Sequence, residues 1–401
     1  MSNEISSKDE ILKQVKSKAN LENIKSDYML KNLFNIMKKN ISFKIVKYNK
    51  KLQKRLNLNF NSYKDYSQLY SPIEIEIKIW ENQYDKYNIF EQSNKKNMFI
   101  NKLDEVKEFY HIYFDNSNEE IKKSYLNDNE KVNTIKIIIE HQVKSFKKLF
   151  FYCENIYSIF FKKFTRTNIT DMSFMFHGCS SLNKLNIPCF NTNNVTDMSF
   201  MFNRCFSISG LNVSHFNTSN VINMEGMFGQ CPFRLINLSN FNTSNVTNMN
   251  GMFYGCFNLI KLNLSNFNTD KVTNMQNMFS ECKALEELNI TNFNTNNVTN
   301  MKGMFYQCQS LKEINLSNFN TNNVTTMKNM FRECYALNEL NLSNFNTDNV
   351  TDMSYMFLRC YALNELDISN FNFDNVTNKI DMFTNCPDNI KIRRRSNCIL
   401  F

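Results

Sequence analysis

An α/β repeat solenoid, with parallel strands plus short helices behind a small α+β domain, is the fold class this sequence predicts. Three observations carry the prediction. The stretch Val246–Phe267, VTNMNGMFYGCFNLIKLNLSNF, recurs as VTNMQNMFSECKALEELNITNF, VTNMKGMFYQCQSLKEINLSNF, VTTMKNMFRECYALNELNLSNF and VTDMSYMFLRCYALNELDISNF. Its cysteines fall at Cys179, Cys205, Cys231, Cys256, Cys282, Cys308, Cys334, Cys360 and Cys386, a 26-residue step broken once by a step of 25. A fixed period in this range marks units that bury their apolar faces only against their neighbours. Within each unit, Met249, Met252, Phe253 and Cys256 are spaced as one face of a short helix, and Leu262 and Leu264 as one face of a strand. One strand and one helix per rung, at ~4.8 Å per rung, give ten rungs a length of roughly 45 Å.

Residues 1–20 are polar and Lys/Ser-rich and read as a frayed terminus. From Ser26, Tyr28, Leu30, Leu33, Phe34 and Met37 predict a helix capped by that serine. A second helix is expected after Ser42, with Phe43, Val46, Leu52 and Leu56 on its buried side. Residues 21–53, with a short helix ending Leu-Phe and a following helix carrying Ile-Val and Asn-Lys, resemble an F-box without its Leu-Pro opening. That resemblance implies a ubiquitin-ligase substrate adaptor as one reading of the chain. Ile73–Trp80 alternates strictly and predicts a strand with one wet face, and Tyr110–Phe114 and Ile135–Ile139 predict two more. Together, residues 21–142 form a domain expected to plug the open end of the solenoid, since an exposed terminal rung needs a cover.

Val143, Phe146, Leu149, Phe150, Cys153, Ile156, Ile159, Phe161 and Phe164 fill the repeat's offsets with larger residues, which makes Val143 the start of an atypical first rung. The 25-residue step places its deletion between Cys231 and Phe233, in the link from helix to strand. Connections tolerate such a loss and cores do not. At the far end Lys379 replaces the first methionine and the strand dwindles to NIKI, so the solenoid is expected to span 143–390.

The pattern V-T-x-M-x-x-M-F-x-x-C-x-x-L-x-x-L-x-L-S-x-F-x-T closely resembles the repeats of the BspA-like leucine-rich repeat family, also called Mycoplasma lipoprotein repeats. The resemblance covers roughly Val143 to Phe383. It implies a leucine-rich-repeat-like solenoid with a role in binding, in a family whose known members are mostly bacterial and protist surface proteins.

Charge and composition bound the function. Residues 1–142 carry 25 basic and 20 acidic side chains, and 143–390 carry 18 of each. A neutral solenoid argues against a nucleic-acid groove, where a basic stripe is expected. One cysteine per rung without histidine gives no metal site, and packing is the favoured reading of the ladder over disulfides. The four histidines are scattered, with His177 and His215 expected at the surface. No phosphate loop or HExxH is present. No enzyme, cofactor or small-molecule substrate is called for. Sequons such as Asn245-Val246-Thr247 recur on rung after rung. Many would be glycosylation candidates in a secretory pathway, whereas a reduced, cytoplasmic setting avoids that problem. The N-terminal MSNEISSKDEILKQ has no apolar h-region, and no run reaches eighteen apolar residues.

The residues flanking each core leucine point outward and make two columns. One is Asn186, Asn212, Asn237, Asn263, Asn289, Asn315, Asn341 and Asp367, whose side chains could stack and hydrogen-bond from rung to rung. The other runs Lys184, Gly210, Leu235, Lys261, then Glu287, Glu313, Glu339 and Glu365. Four like charges on adjacent strands repel one another, so the column is either a copied glutamate or a face for a basic protein partner. The C-terminal Cys398-Ile399-Leu400-Phe401 resembles a prenylation box, and Lys391, Arg393, Arg394 and Arg395 would add an electrostatic signal beyond the last rung. The expected protein is a non-enzymatic interaction scaffold in the cytoplasm, held peripherally at a membrane by a lipid anchor. A cell-surface adhesin is the alternative.

Overall fold

Ten rungs stack from Val143 to Arg394 in the computed structural model, which describes residues 21–394 apart from 38, 81–96, 102–103, 128 and 189. The readings of residues 1–20, Arg395 and Cys398 fall outside the described residues. Each rung opens on a buried aliphatic residue (Val143, Ile169, Val195, Val221 and so on to Val350; Val376 in the last rung is half-buried). The residue two further on bridges in parallel to its equivalents, in an unbroken column from Ser145 through Asn248 to Asn378.

The helix expected in every rung is a run of tight turns. Among the described residues no α-helix follows Tyr70. In the rung opening at Val246, the N–H groups of Met252, Tyr254 and Cys256 donate to carbonyls three residues back, to Met249, Gly251 and Phe253. The intervening N–H groups turn sideways: those of Met249, Gly251, Phe253 and Gly255 donate to Asn274, Gln276, Met278 and Ser280 of the next rung. Counting the opening residue as zero, the fifth and ninth residues of each rung have positive φ, from Lys148 and Tyr152 to Asp381 and Asn385, as the third position of a type II turn requires. Two such turns bury the third, sixth, seventh and tenth residues just as a helix would. The sideways bonds satisfy in the neighbouring rung what a helix satisfies within itself.

Three side-chain ladders reinforce this wall. Phenylalanines from Phe150 to Phe383 stack one per rung, with centroids 5.4–5.9 Å apart. From Cys179 to Cys386, one cysteine thiol per rung donates to the carbonyl of the preceding rung's phenylalanine at 3.0–3.2 Å, for example Cys334 to Phe305. Burial pushes the Cys334 thiol up to about 12, so the proton it donates stays in place. The ten cysteines among the described residues are free, which makes the ladder packing plus weak hydrogen bonds. On the other side of the rung, buried Thr269 donates to the Asn294 carbonyl and accepts from the Asn294 N–H, both at 2.8 Å, and the same exchange recurs along the stack.

The strands are shorter and more broken than the periodicity suggests. They are β6 (Ile156–Lys163), β7 (Lys184–Asn186), β8 (Lys261–Asn263), β9 (Glu287–Asn289), β10 (Glu339–Asn341), β11 (Glu365–Ile368) and β12 (Lys391–Arg394). β12 corrects the sequence reading of the tail: Lys391–Arg394 is the strand of the last rung, paired in parallel with β11 so that Glu365 faces Lys391 and Asp367 faces Arg393. Ile392 takes the inward leucine position, which extends the solenoid past residue 390.

N-terminal to the rungs lie α1 (Asp27–Ile36), α2 (Lys39–Val46), α3 (Lys50–Arg55) and α4 (Phe60–Tyr70), then β1 (Ile73–Ile79), β2 (Asn97–Met98), β3 (Tyr110–Phe114), β4 (Tyr125–Leu126) and β5 (Thr134–Ile139). Ser26 caps α1 by accepting from Met29 N–H at 3.3 Å, as expected. The second helix starts earlier than Ser42 and breaks before Asn49, whose side chain caps α3. α4 was not foreseen, because FNSYKDYSQLY carries little apolar periodicity. The helices keep their own core around Leu30, Phe43, Val46 and Leu52. The strands instead join the solenoid: sheet order β3-β5-β1-β6-β7 lays β1 antiparallel on the first rung's β6, and the two share one core. Asn101 N–H also meets the first rung's Leu149 carbonyl at 2.7 Å. His177 is buried against Phe151, Tyr152, Phe174 and Phe200 rather than exposed, and burial, then Arg204 and Lys148, lower its pKa to about 4.

Candidate binding face

The core leucine of each strand points inward and its two neighbours point out, so Leu262 is buried between exposed Lys261 and Asn263, and Leu340 between exposed Glu339 and Asn341. Stacking in register lines these neighbours up: Lys261 faces Glu287 and Asn263 faces Asn289, as Glu339 faces Glu365. The face holds a groove of about 910 Å³. Lys261, Asn263, Glu287, Asn289, Glu313, Asn315, Glu339 and Asn341 all line it. Glu365 and Asp367 continue the columns beyond it on β11.

Electrostatically the acidic column is not uniform. Lys261 pairs with Glu287, which raises the lysine's pKa by hydrogen bond and charge. At the other end Lys391 pairs with Glu365 at 3.2 Å. The column therefore reads Lys261, Glu287, Glu313, Glu339, Glu365, Lys391, with its outer carboxylates engaged by lysines. Glu313 and Glu339 make no ion pair among the described residues. Both ion pairs are exposed and contribute little to stability. Their effect is to concentrate the uncompensated charge on two adjacent rungs.

The asparagine column does not form the expected stack. Asn263 accepts from Ser265 N–H at 3.0 Å, Asn315 from Ser317 and Asn341 from Ser343 likewise, so each side chain caps the turn after its own strand. The rung-to-rung asparagines lie elsewhere: Asn297 donates to the Asp270 carbonyl at 2.6 Å and Asn323 to the Asn296 carbonyl at 2.7 Å. Two more residues line the groove, of which sequence reasoning missed Glu286 and placed Leu235 in the column without assigning it to the face. Glu286 adds a carboxylate, and Leu235 is 66 % exposed at the groove's end in the column's own position. The double Glu of rung six and the lone leucine among charged residues were the available signals.

Among the described residues no three His, Cys, Asp or Glu side chains gather as a metal site, and no helix is long and apolar enough to cross a membrane. The face offers surface recognition through charge and an apolar floor.

No curated protein matches the chain. A leucine-rich repeat protein from Bacteroides ovatus ATCC 8483 aligns at 16% identity over 72% of this chain and 79% of its own, with a TM-score of 0.36. The family profile described as "Mycoplasma protein of unknown function, DUF285" matches residues 144–237, 232–315 and 310–391, in keeping with the resemblance read from the repeats. The matches span the rungs almost end to end, and the chain belongs to this DUF285 family.

Proposed function

We propose that the chain is a non-enzymatic interaction scaffold whose strand face takes a basic stretch of another protein against Glu313 and Glu339. The supporting observation is the groove itself, in which two exposed carboxylates without an ion-pair partner among the described residues sit between two that lysines already engage. A lysine-rich peptide should bind the wild-type chain with an affinity that falls as salt rises. Glu313→Lys combined with Glu339→Lys should weaken that binding roughly tenfold or more. The melting temperature should hold, since both side chains are exposed. Equal binding by the two proteins removes this reading.

The scaffold is proposed to sit at a membrane through a prenyl group on Cys398, on the strength of the terminal CILF. One lipid chain holds a protein only marginally and reversibly, so stable attachment needs the basic residues beside it as a second signal. Cys398→Ser should leave the salt-resistant membrane fraction of a cell with active prenyltransferases, and identical partition of the two forms after a salt wash sinks the anchor. Membership of the DUF285 family favours a second reading, a cell-surface adhesin, for which the same acidic face would meet a host or neighbour protein.

A further inference from the structure

The turn wall has a direction. At each of the nine interfaces, four backbone N–H groups of one rung's turns donate to carbonyls of the next, toward the C-terminal end, against one beside the turns that donates back, such as Thr273 to Thr247. In the last rung the equivalent N–H groups belong to Lys379, Asp381, Phe383 and Asn385, and none meets an acceptor among the described residues. Aligned peptide dipoles leave partial positive charge where the donors are unmet, as at the start of a helix.

Two further observations fall on the same end. Its side chains are apolar where no rung covers them: Ile380 is 60 % exposed, and Val376 and Phe383 are only partly buried, whereas the equivalents of those two in the nine preceding rungs are buried. The rung is also basic. Lys379 is exposed in the slot held by methionine in the eight preceding rungs, and with Lys391, Arg393 and Arg394 it outnumbers Asp381 and Asp388. Lys391 is partly engaged by Glu365.

Self-association does not fit this end. Two copies meeting about a two-fold axis would set donors against donors and base against base. A copy stacking head to tail would need a free first rung, whose strand already pairs with β1 and whose Leu149 carbonyl already accepts from Asn101 N–H. We infer that the last rung is an interfacial surface that docks end-on to an anionic phospholipid bilayer. Phosphate oxygens would accept from the four N–H groups, Ile380 and Phe383 would enter between headgroups, and Lys379, Lys391 and Arg393 would supply the attraction. This rests on the membrane reading above and is independent of the prenyl group.

The test uses the full chain carrying Cys398→Ser, which cannot be prenylated, with phosphatidylcholine vesicles with and without phosphatidylserine. The chain should sediment with the phosphatidylserine vesicles and release as salt rises. Lys379→Met, which restores the repeat's own residue and so keeps the fold, should weaken binding about fivefold, the weight of one lysine near an anionic leaflet. Ile380→Asp should weaken it roughly tenfold. If Cys398→Ser binds neither vesicle while the prenylated chain partitions to membranes, end-on docking is wrong and the anchor stands. Equal binding by Cys398→Ser and both added variants would also overturn it, leaving attachment to the terminal arginines alone. So would a dimer in sedimentation that Ile380→Asp dissolves.

Discussion

Replacing Phe305 with alanine should cost about 3–5 kcal/mol of unfolding free energy. Phe305 is fully buried in mid-solenoid, stacked on Phe279 at 5.8 Å and on Phe331 at 5.5 Å. Truncation removes two ring contacts at once and leaves a cavity that rungs held by backbone bonds on both sides cannot close. The carbonyl of Phe305 still accepts from the Cys308 N–H and the Cys334 thiol, so the backbone stays anchored and the loss reports packing. Denaturant unfolding measures it, and a change below ~0.5 kcal/mol would mean that the phenylalanine column does not carry the core.

Gly226→Val should be nearly as damaging, at about 3 kcal/mol, for a different reason. Gly226 has φ +57°, where an L side chain is strained and a β-branched one most of all. Its new Cβ would lie 2.5 Å from ring atoms of Phe200, itself held in the left-handed region and stacked on Phe174 at 4.8 Å. Relief would have to come from a ring packed on its other face. Gly210 provides the contrast: its added Cβ meets nothing within 4 Å, so Gly210→Ala should shift the melting temperature little. Similar losses at the two glycines would show that left-handed geometry is not what Gly226 supplies.

How far the sequence reveals this molecule follows from which forces leave a residue signature. Burial does. Met249, Met252, Phe253, Cys256 and Leu262 were identified as core by spacing alone, and the larger residues at Val143–Phe164 marked the first rung. The backbone path between them was not legible from spacing, because three-residue turns and a helix bury the same offsets. The discriminating signal lay in glycine: Gly178, Gly226, Gly251, Gly255 and Gly303, five of the chain's seven, occupy the left-handed fifth and ninth places. A helix would have disfavoured them. Tyrosine, phenylalanine and arginine in other rungs masked that regularity.

At the binding face the outward columns followed from alternation about each leucine. Their pairing did not. The Lys261–Glu287 contact spans one repeat and could be read from the period. The Lys391–Glu365 contact required that residues beyond 390 fold as a rung, against a terminal unit whose methionine and leucine slots had already decayed. Charge on a strand and charge on a flexible tail look alike in sequence, and the strand pairing of β12 is what separates them.

The one-way bonding of the turn wall has a mechanical side. Tension applied along the stack pulls directly on hydrogen bonds that lie parallel to it, and each interface presents the same four. The junctions are thus links of similar strength in series, and the weakest among the described residues is the last, where one flank carries no further rung. Such a stack yields from its open end inward, one rung at a time. Each 26-residue unit released pays out about 90 Å of extended chain. A partner bound across Glu313 and Glu339 as proposed would clasp rungs seven and eight and halt the unzipping there.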